Sequence, residues 1–186
     1  IPGLTDAHLH LGEAALARRR ANLDDARSIG DVIERVHAAA AARPDAGTWI
    51  EGAGRDPDLV ARWPTADDLE IAAPGRLVAL WAHDHHALLV SAAGLAAAGI
   101  DADRPDPDGG VIRRDESGRA TGVLHETAVR LVASLVPPPT TAAVVDALEP
   151  LVRELVALGV VAVHDPGGLG DRRDLGGPIG AYRALA

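Results

Sequence analysis

Apolar residues along the chain form either short continuous runs or longer stretches with helical spacing. The runs at 76–82 and 160–163 predict strands that are buried on both faces. Helical spacing predicts helices over 28–42 and 140–158, the second of which contains Pro150. Shorter elements complete the pattern: strands at 4–10 and 48–52, helices at 66–72 and 91–98, and a hairpin of 111–114 with 122–126. This alternation predicts an α/β fold with a mostly parallel sheet and outer helices.

Two histidines close the first predicted strand. If 4–10 is extended, His8 and His10 are two residues apart and project from the same face. Two imidazoles on one rigid edge can bind a transition metal such as zinc. A pair of solvated or hydrogen-bonded histidines near a turn is the alternative interpretation, and the pair by itself leaves it open.

Polar residues also follow the other predicted strands, at the ends where α/β folds build their sites. They are Asp56, His85, His86, Glu126, His164 and Asp165.

Composition excludes several kinds of chemistry. The chain of 186 residues predicts one domain or part of a larger one, and its formal net charge of -9 argues against nucleic acid and anionic membranes as partners. All basic residues are arginine and cysteine is absent, so neither a Schiff-base or carbamylated lysine nor a thiolate can take part. With no signal peptide and no apolar run of spanning length, a soluble cytoplasmic protein is expected. Because the chain starts with Ile1 directly at the histidine motif, we expect it to be a segment of a longer protein.

The start of the chain reads Pro2-Gly3-Leu4-Thr5-Asp6-Ala7-His8-Leu9-His10, which resembles the first-strand signature of the amidohydrolase superfamily. Later stretches resemble the amidohydrolase family 3 branch, which includes N-substituted formamide deformylase-like proteins. They lie at 49–56, 64–69, 84–92, 109–112, 121–126 and 163–165. The resemblance implies a (β/α)8 TIM-type barrel, of which 1–186 would be one partial domain covering about strands 1 to 5.

The resemblance also implies a metal site. Its ligands would be His8, His10, Glu126 and His164, with Glu126 standing where many superfamily members place a carboxylated lysine. Glu126 as a plain helix-start carboxylate and His164 as a hydrogen-bonded core histidine are the alternatives. His86 and Asp84 would face the substrate as catalytic residues, although Asp84 also fits an ordinary loop cap. His85 stands where the family usually has glycine.

The activity that the resemblance implies is hydrolysis of an amide-type, non-peptide C–N bond in a small molecule. One or two divalent ions, with zinc favoured, would activate water. The family's strand-six histidine and strand-eight aspartate are not found, so a truncated or non-catalytic metal-binding fragment is the second hypothesis, and a phosphoester hydrolase is the third. An incomplete barrel would leave sheet edges exposed, so we expect poor solubility or association into a homo-oligomer.

Overall fold

The structure is a computed structural model that describes residues 2–55, 62–167 and 176–185. The chain divides into two compact units, Arg20–Pro137 and a second unit made of Ile1–Arg19 with Pro138–Ala186. In chain order the elements are β1 Leu4–Asp6, α1 Leu11–Ala17, β2 Ala21–Asn22, α2 Ile29–Ala41, β3 Ile50–Arg55, α3 Ala66–Ala72, β4 Val78–Ala82, β5 Ala87–Val90, α4 Ala92–Ala97, β6 Gly110–Arg114, β7 Ala120–Glu126, a 3-10 turn Thr127–Val129, α5 Arg130–Ala133, α6 Thr141–Ala157, β8 Val160–Val163 and α7 Gly176–Leu185.

The Arg20–Pro137 unit is built on a six-stranded mixed sheet in the order β2-β3-β4-β5-β7-β6. Neighbours from β2 to β4 are parallel, whereas β4-β5, β5-β7 and β7-β6 are antiparallel. The α/β class is therefore confirmed, but the expectation of a mostly parallel sheet is wrong for this unit. The sequence interpretation missed β5, which follows β4 after the residues 83–86 alone, and so short a connection allows only an antiparallel return. The predicted hairpin is confirmed as β6 and β7.

Alternate residues of the central strands pack on opposite faces of this sheet. Leu88 and Leu124 belong to one buried cluster, while Leu89 and Val123 belong to the other. All four are nearly inaccessible to solvent. The sheet is thus covered on both faces, which fixes the register of β5 and β7 and leaves only their ends available for polar side chains.

The helices beside this sheet begin where the sequence predicts. Ser28 accepts from the Asp31 N–H and Asp31 accepts in return from the Ser28 N–H, forming a capping box at α2. Thr65 and Asp68 form the same reciprocal pair at α3. Each box satisfies helix N–H groups that would otherwise lack a partner.

The second unit pairs β1 with β8 in parallel, and its core is formed by α1, α6 and α7 around Leu11, Leu148 and Leu151. The first strand is shorter than predicted, since β1 ends at Asp6 and not at residue 10. The reason is local: the Asp6 carboxylate accepts the His8 N–H at 2.9 Å, which turns the chain before α1 begins. In neither unit does a described helix have the length and apolar character needed to cross a membrane.

Candidate metal centre

His8 and His10 come together through a turn and the start of a helix, and not through strand alternation. His8 lies in the turn that Asp6 closes, and His10 is the residue immediately before α1. Their ring centroids are 5.2 Å apart, with the ring planes at 80°. The predicted proximity of the two imidazoles is therefore present, although the predicted reason for it is wrong.

The His10 ring has one nitrogen committed and one available. Its Nδ1 is hydrogen-bonded to the carbonyl oxygen of Gly167. A carbonyl can only accept, so Nδ1 carries the proton and, in the neutral ring, Nε2 keeps its lone pair. The ring is partly buried, which restricts its orientation. His10 is thus prepared to bind a cation through Nε2.

His164 follows β8 at the same sheet end. In the β1-β8 register Asp6 pairs with Val163. The His164 N–H donates to the Asp6 carbonyl at 2.8 Å, and the His164 carbonyl accepts from the Leu9 N–H at 3.0 Å. Its side chain is exposed. The backbone therefore holds this third histidine beside the segment that carries the other two, as expected for the carboxyl ends of adjacent parallel strands.

Asp165 and Tyr182 form a hydrogen-bonded pair at this end, and the sequence interpretation missed Tyr182. The Tyr182 hydroxyl donates to Asp165 Oδ2 and accepts from the Gly12 N–H at 3.0 Å. Burial and the neighbouring carboxylate raise the pKa of Tyr182, so the phenol remains a donor. Burial alone would raise the pKa of Asp165, but the hydrogen bonds from Tyr182 and from backbone N–H groups outweigh it and lower that pKa.

A second set of candidate residues meets in the Arg20–Pro137 unit, where β4 and β7 end. The Asp84 carboxylate accepts the His86 N–H at 2.9 Å, and the His86 carbonyl accepts the Glu126 N–H at 2.9 Å. The His86 Nδ1 and Glu126 Oε2 atoms lie 3.3 Å apart, and the two side chains are 67% and 58% exposed. The three residues predicted from the resemblance are therefore neighbours and open to solvent.

Glu126 of this set and His85, which lies between Asp84 and His86, are in backbone conformations that L-residues rarely adopt. Among the described non-glycine residues, only His85 (φ 61°) and Glu126 (φ 52°) have positive φ. For His85 the sequence carried a signal, because the related family has glycine there and glycine adopts this conformation readily. Strained residues of this kind cluster at functional sites, where the surrounding structure enforces them.

His125 precedes Glu126 but faces a different environment. Its ring lies 5.7 Å from that of Trp63, centroid to centroid, at 73°. Burial, and then the Arg113 charge, lower the pKa of His125. It is packed against an aromatic ring and does not join Asp84, His86 and Glu126.

The predicted residues thus divide between the units: His8, His10 and His164 lie in one, and Asp84, His86 and Glu126 in the other. Within the described ranges, no group of three or more His, Asp and Glu side chains is close enough to hold a metal ion. Asp56 lies outside the described residues. The assignment of all six as site residues stays a prediction.

Comparison with known proteins agrees with the motif. A family model described as "Amidohydrolase family" matches residues 1–178. YtcJ of Bacillus subtilis (strain 168), which is named as an amidohydrolase, is 31% identical over 191 residues, covering 100% of this chain and 35% of that protein. N-substituted formamide deformylase of Arthrobacter pascens is 33% identical over 138 residues, covering 72% of this chain and 25% of that protein.

Two solved structures are similar to this chain in fold. An uncharacterized metal-dependent hydrolase from Pyrococcus furiosus superposes with a TM-score of 0.66 at 25% identity, covering 99% of this chain and 34% of that one. A second, from Pyrococcus horikoshii OT3, gives 0.67 at 22% identity, covering 99% and 33%. The chain spans about a third of the length of the first relatives it matches.

Proposed function

The chain belongs to the amidohydrolase family, and from this premise we propose that it is part of a metal-dependent hydrolase that cleaves an amide-type, non-peptide C–N bond. The fold part of the proposal is that this chain supplies parallel strands from the first part of a (β/α)8 barrel. The support is the family match and the likeness to two metal-dependent hydrolases over 99% of this chain.

One observation carries the proposal: the spacing of the His8 and His10 rings. Two imidazoles this close in space could both offer a ring nitrogen to one divalent ion, as pairs of histidines do in zinc sites. The observed separation is 5.2 Å. The donor set fits as well, since His10 presents Nε2 and imidazole nitrogen suits zinc.

In the proposed site, His8 and His10 would hold the metal, with His164 from the neighbouring strand end as a third ligand. Glu126 is proposed as a further, carboxylate ligand on the family resemblance alone. A divalent ion held there, for which we propose zinc, would supply a bound water of lowered pKa and a Lewis acid for a carbonyl. The proposed ligands are neutral imidazoles and one carboxylate, so they offer donor atoms to a divalent ion without lysine or cysteine.

Asp84 and His86 are proposed to act on the substrate side. The Asp84 carboxylate fixes the His86 backbone through its N–H, and the His86 imidazole is then positioned to donate or accept a proton at Nε2. Both side chains are exposed, as a substrate contact requires. The relative named N-substituted formamide deformylase supports a small substrate with an amide-type C–N bond.

The test is elemental analysis of the purified protein grown with added zinc, combined with an assay of amine release from an N-substituted formamide. We compare the wild type with His10→Ala and Glu126→Ala, and with His37→Ala as a matched control on α2, where Nδ1 contacts the Ala72 carbonyl at 3.1 Å. We expect near-stoichiometric zinc that falls in the first two variants and is unchanged in the control.

The outcomes separate the parts of the proposal. Loss of zinc in His10→Ala alone would remove Glu126 from the ligand set and leave the rest. Zinc bound without amine release would favour the non-catalytic hypothesis. A wild type free of metal after growth with zinc would refute the site.

A further inference from the structure

We propose that Tyr182 is a positioning residue for His10, acting through Asp165 and Gly167 to hold the imidazole in the tautomer with its proton on Nδ1. The inference rests on the proposed function only where it treats His10 as a metal ligand. The hydrogen-bond arrangement itself lies wholly within the unit made of Ile1–Arg19 and Pro138–Ala186.

The first step is that the Asp165 carboxylate accepts hydrogen bonds from two separate segments of the chain. Asp165 Oδ1 accepts the Gly167 N–H at 2.8 Å, and Oδ2 accepts the Leu11 N–H at 3.0 Å. Oδ2 also accepts the Tyr182 hydroxyl proton. Asp165 therefore ties the loop after β8 to the start of α1, and Tyr182 on α7 fixes the carboxylate that does so.

The second step concerns Gly167, whose carbonyl is the partner of His10 Nδ1. Gly167 has φ 95°, a conformation open to glycine, and its N–H is held by Asp165. Holding that N–H restricts the orientation of the residue whose carbonyl receives the imidazole proton. Fixing the carbonyl fixes the tautomer, and the tautomer decides which nitrogen is left for a metal.

The third step concerns the start of α1. A residue in the position of His10 commonly uses its own side chain to bind the first free N–H groups of the helix. His10 makes no such bond. Instead, the Leu11 N–H is bound by Asp165 and the Gly12 N–H by the Tyr182 hydroxyl. These two residues satisfy the helix end, so the His10 ring is not needed there.

The decisive variant is Tyr182→Phe, which keeps the ring and removes only the hydroxyl. It deprives Asp165 of a donor and leaves the Gly12 N–H without its acceptor. Asp165→Asn is the second variant, because an amide at the same place cannot accept all the bonds that the carboxylate accepts.

The first measurement is nitrogen NMR of labelled histidine in the metal-free protein, which reports the tautomer of His10 directly. We expect Nδ1–H in the wild type and a mixture of tautomers in both variants. The second is zinc affinity by competition with a chromophoric chelator, for which we expect about a tenfold loss, the lower end of what residues behind metal ligands contribute.

Thr140→Ala is the matched control. Thr140 caps α6 in the same unit by accepting the Ala143 N–H at 3.2 Å, a hydrogen bond separate from those that Asp165 and Tyr182 make. It should lower thermal stability without changing the His10 tautomer or zinc affinity. A wild-type tautomer in Tyr182→Phe would overturn the inference and leave Tyr182 as an anchor of α7 only, whatever the result for Asp165→Asn.

Failure of the proposed function gives a different result. If His10→Ala leaves zinc affinity unchanged, His10 is not a ligand, yet the tautomer measurement still decides whether Tyr182 positions the ring. If His10→Ala loses zinc while Tyr182→Phe binds it as the wild type does with an unchanged tautomer, the metal site stands and the positioning role is wrong.

Discussion

His85 offers a direct test of the backbone strain at the candidate site. It is an exposed residue with φ 61° in the turn between β4 and β5, and its N–H donates to the Ala82 carbonyl at 3.1 Å. Replacing it with glycine removes the strain. His83, exposed in the same turn and without positive φ, provides the matched position for His83→Gly.

The expected change in the free energy of unfolding for His85→Gly combines three contributions, one favourable and two unfavourable. A left-handed conformation costs an L-residue about 1–2 kcal/mol, and glycine costs about 0.5–1 kcal/mol through the entropy of the unfolded chain. The His85 ring also lies 5.9 Å from that of Trp81, and losing this tilted contact costs about 0.5 kcal/mol. His85→Gly should therefore be close to neutral, whereas His83→Gly should lose about 0.5–1 kcal/mol, a difference of about 1 kcal/mol between the two.

Urea unfolding followed by circular dichroism measures this difference, provided that the denaturant slope is the same in all variants. Valine variants at the same two positions test the opposite effect, a loss of stability at His85. His85→Val should be less stable than the wild type, because a β-branched residue tolerates this conformation poorly, while His83→Val should change little. Equal losses in the two glycine variants, or equal effects of valine at the two positions, would refute the argument from strain.

Two further predictions concern the same unit. Hydrogen bonds from Ser117, followed by those from Arg119, hold the pKa of Asp115 at about 2. Because this folded-state pKa lies below the ordinary value, Asp115 stabilises the protein above about pH 4 and progressively less as the pH falls towards 2. Asp115→Asn should therefore have a lower urea midpoint than the wild type at pH 6, with the gap shrinking at pH 2.5; a constant gap would contradict this. A Cβ on Gly110 would lie 2.3 Å from the Ala128 nitrogen, so Gly110→Ala should cost about 1–3 kcal/mol, while Gly30→Ala, whose Cβ meets Ser28 Oγ at 3.5 Å, should be neutral or stabilising. Equal stability of the two alanine variants in urea would contradict this and show that the backbone near Gly110 shifts to accommodate the methyl group.

The parts of the fold that could be predicted from sequence are those set by neighbouring residues. The capping boxes at Ser28 and Thr65 need only residues three positions apart, and the hairpin that ends at Glu126 needs only its own turn. The mixed sheet was missed because β5 was not recognised as a strand, and the strand order cannot be predicted without it. Ala87–Val90 is a run of four apolar residues, which fits a strand or part of a helix equally well. Only its short connection to β4 indicates that it is an antiparallel neighbour.

The first strand shows how a local hydrogen bond overrides a pattern. Alternation along 4–10 explains why His8 and His10 should share a face, yet the Asp6 carboxylate ends the strand by accepting the His8 N–H. The two rings still meet, because the turn and the first residue before α1 bring them to 5.2 Å. A motif can thus predict that two residues lie close together and still be wrong about the local structure that brings them there.

Proposed metal ligands are easier to recognise in a sequence than the residues that orient them. His10 is recognisable because only a few side chains can bind a metal. Its orientation depends on a main-chain carbonyl, that of Gly167, and every residue has such a group. The residue that braces this arrangement, Tyr182, is 170 positions from the N–H that it binds, so no local spacing could connect the two. Only the packing of α7 against α6, and the parallel pairing of β1 with β8, bring these groups to one place. A positioning residue is therefore found by following each hydrogen bond outward from the predicted ligand, and its role is decided by whether the tautomer of His10 changes when that bond is removed.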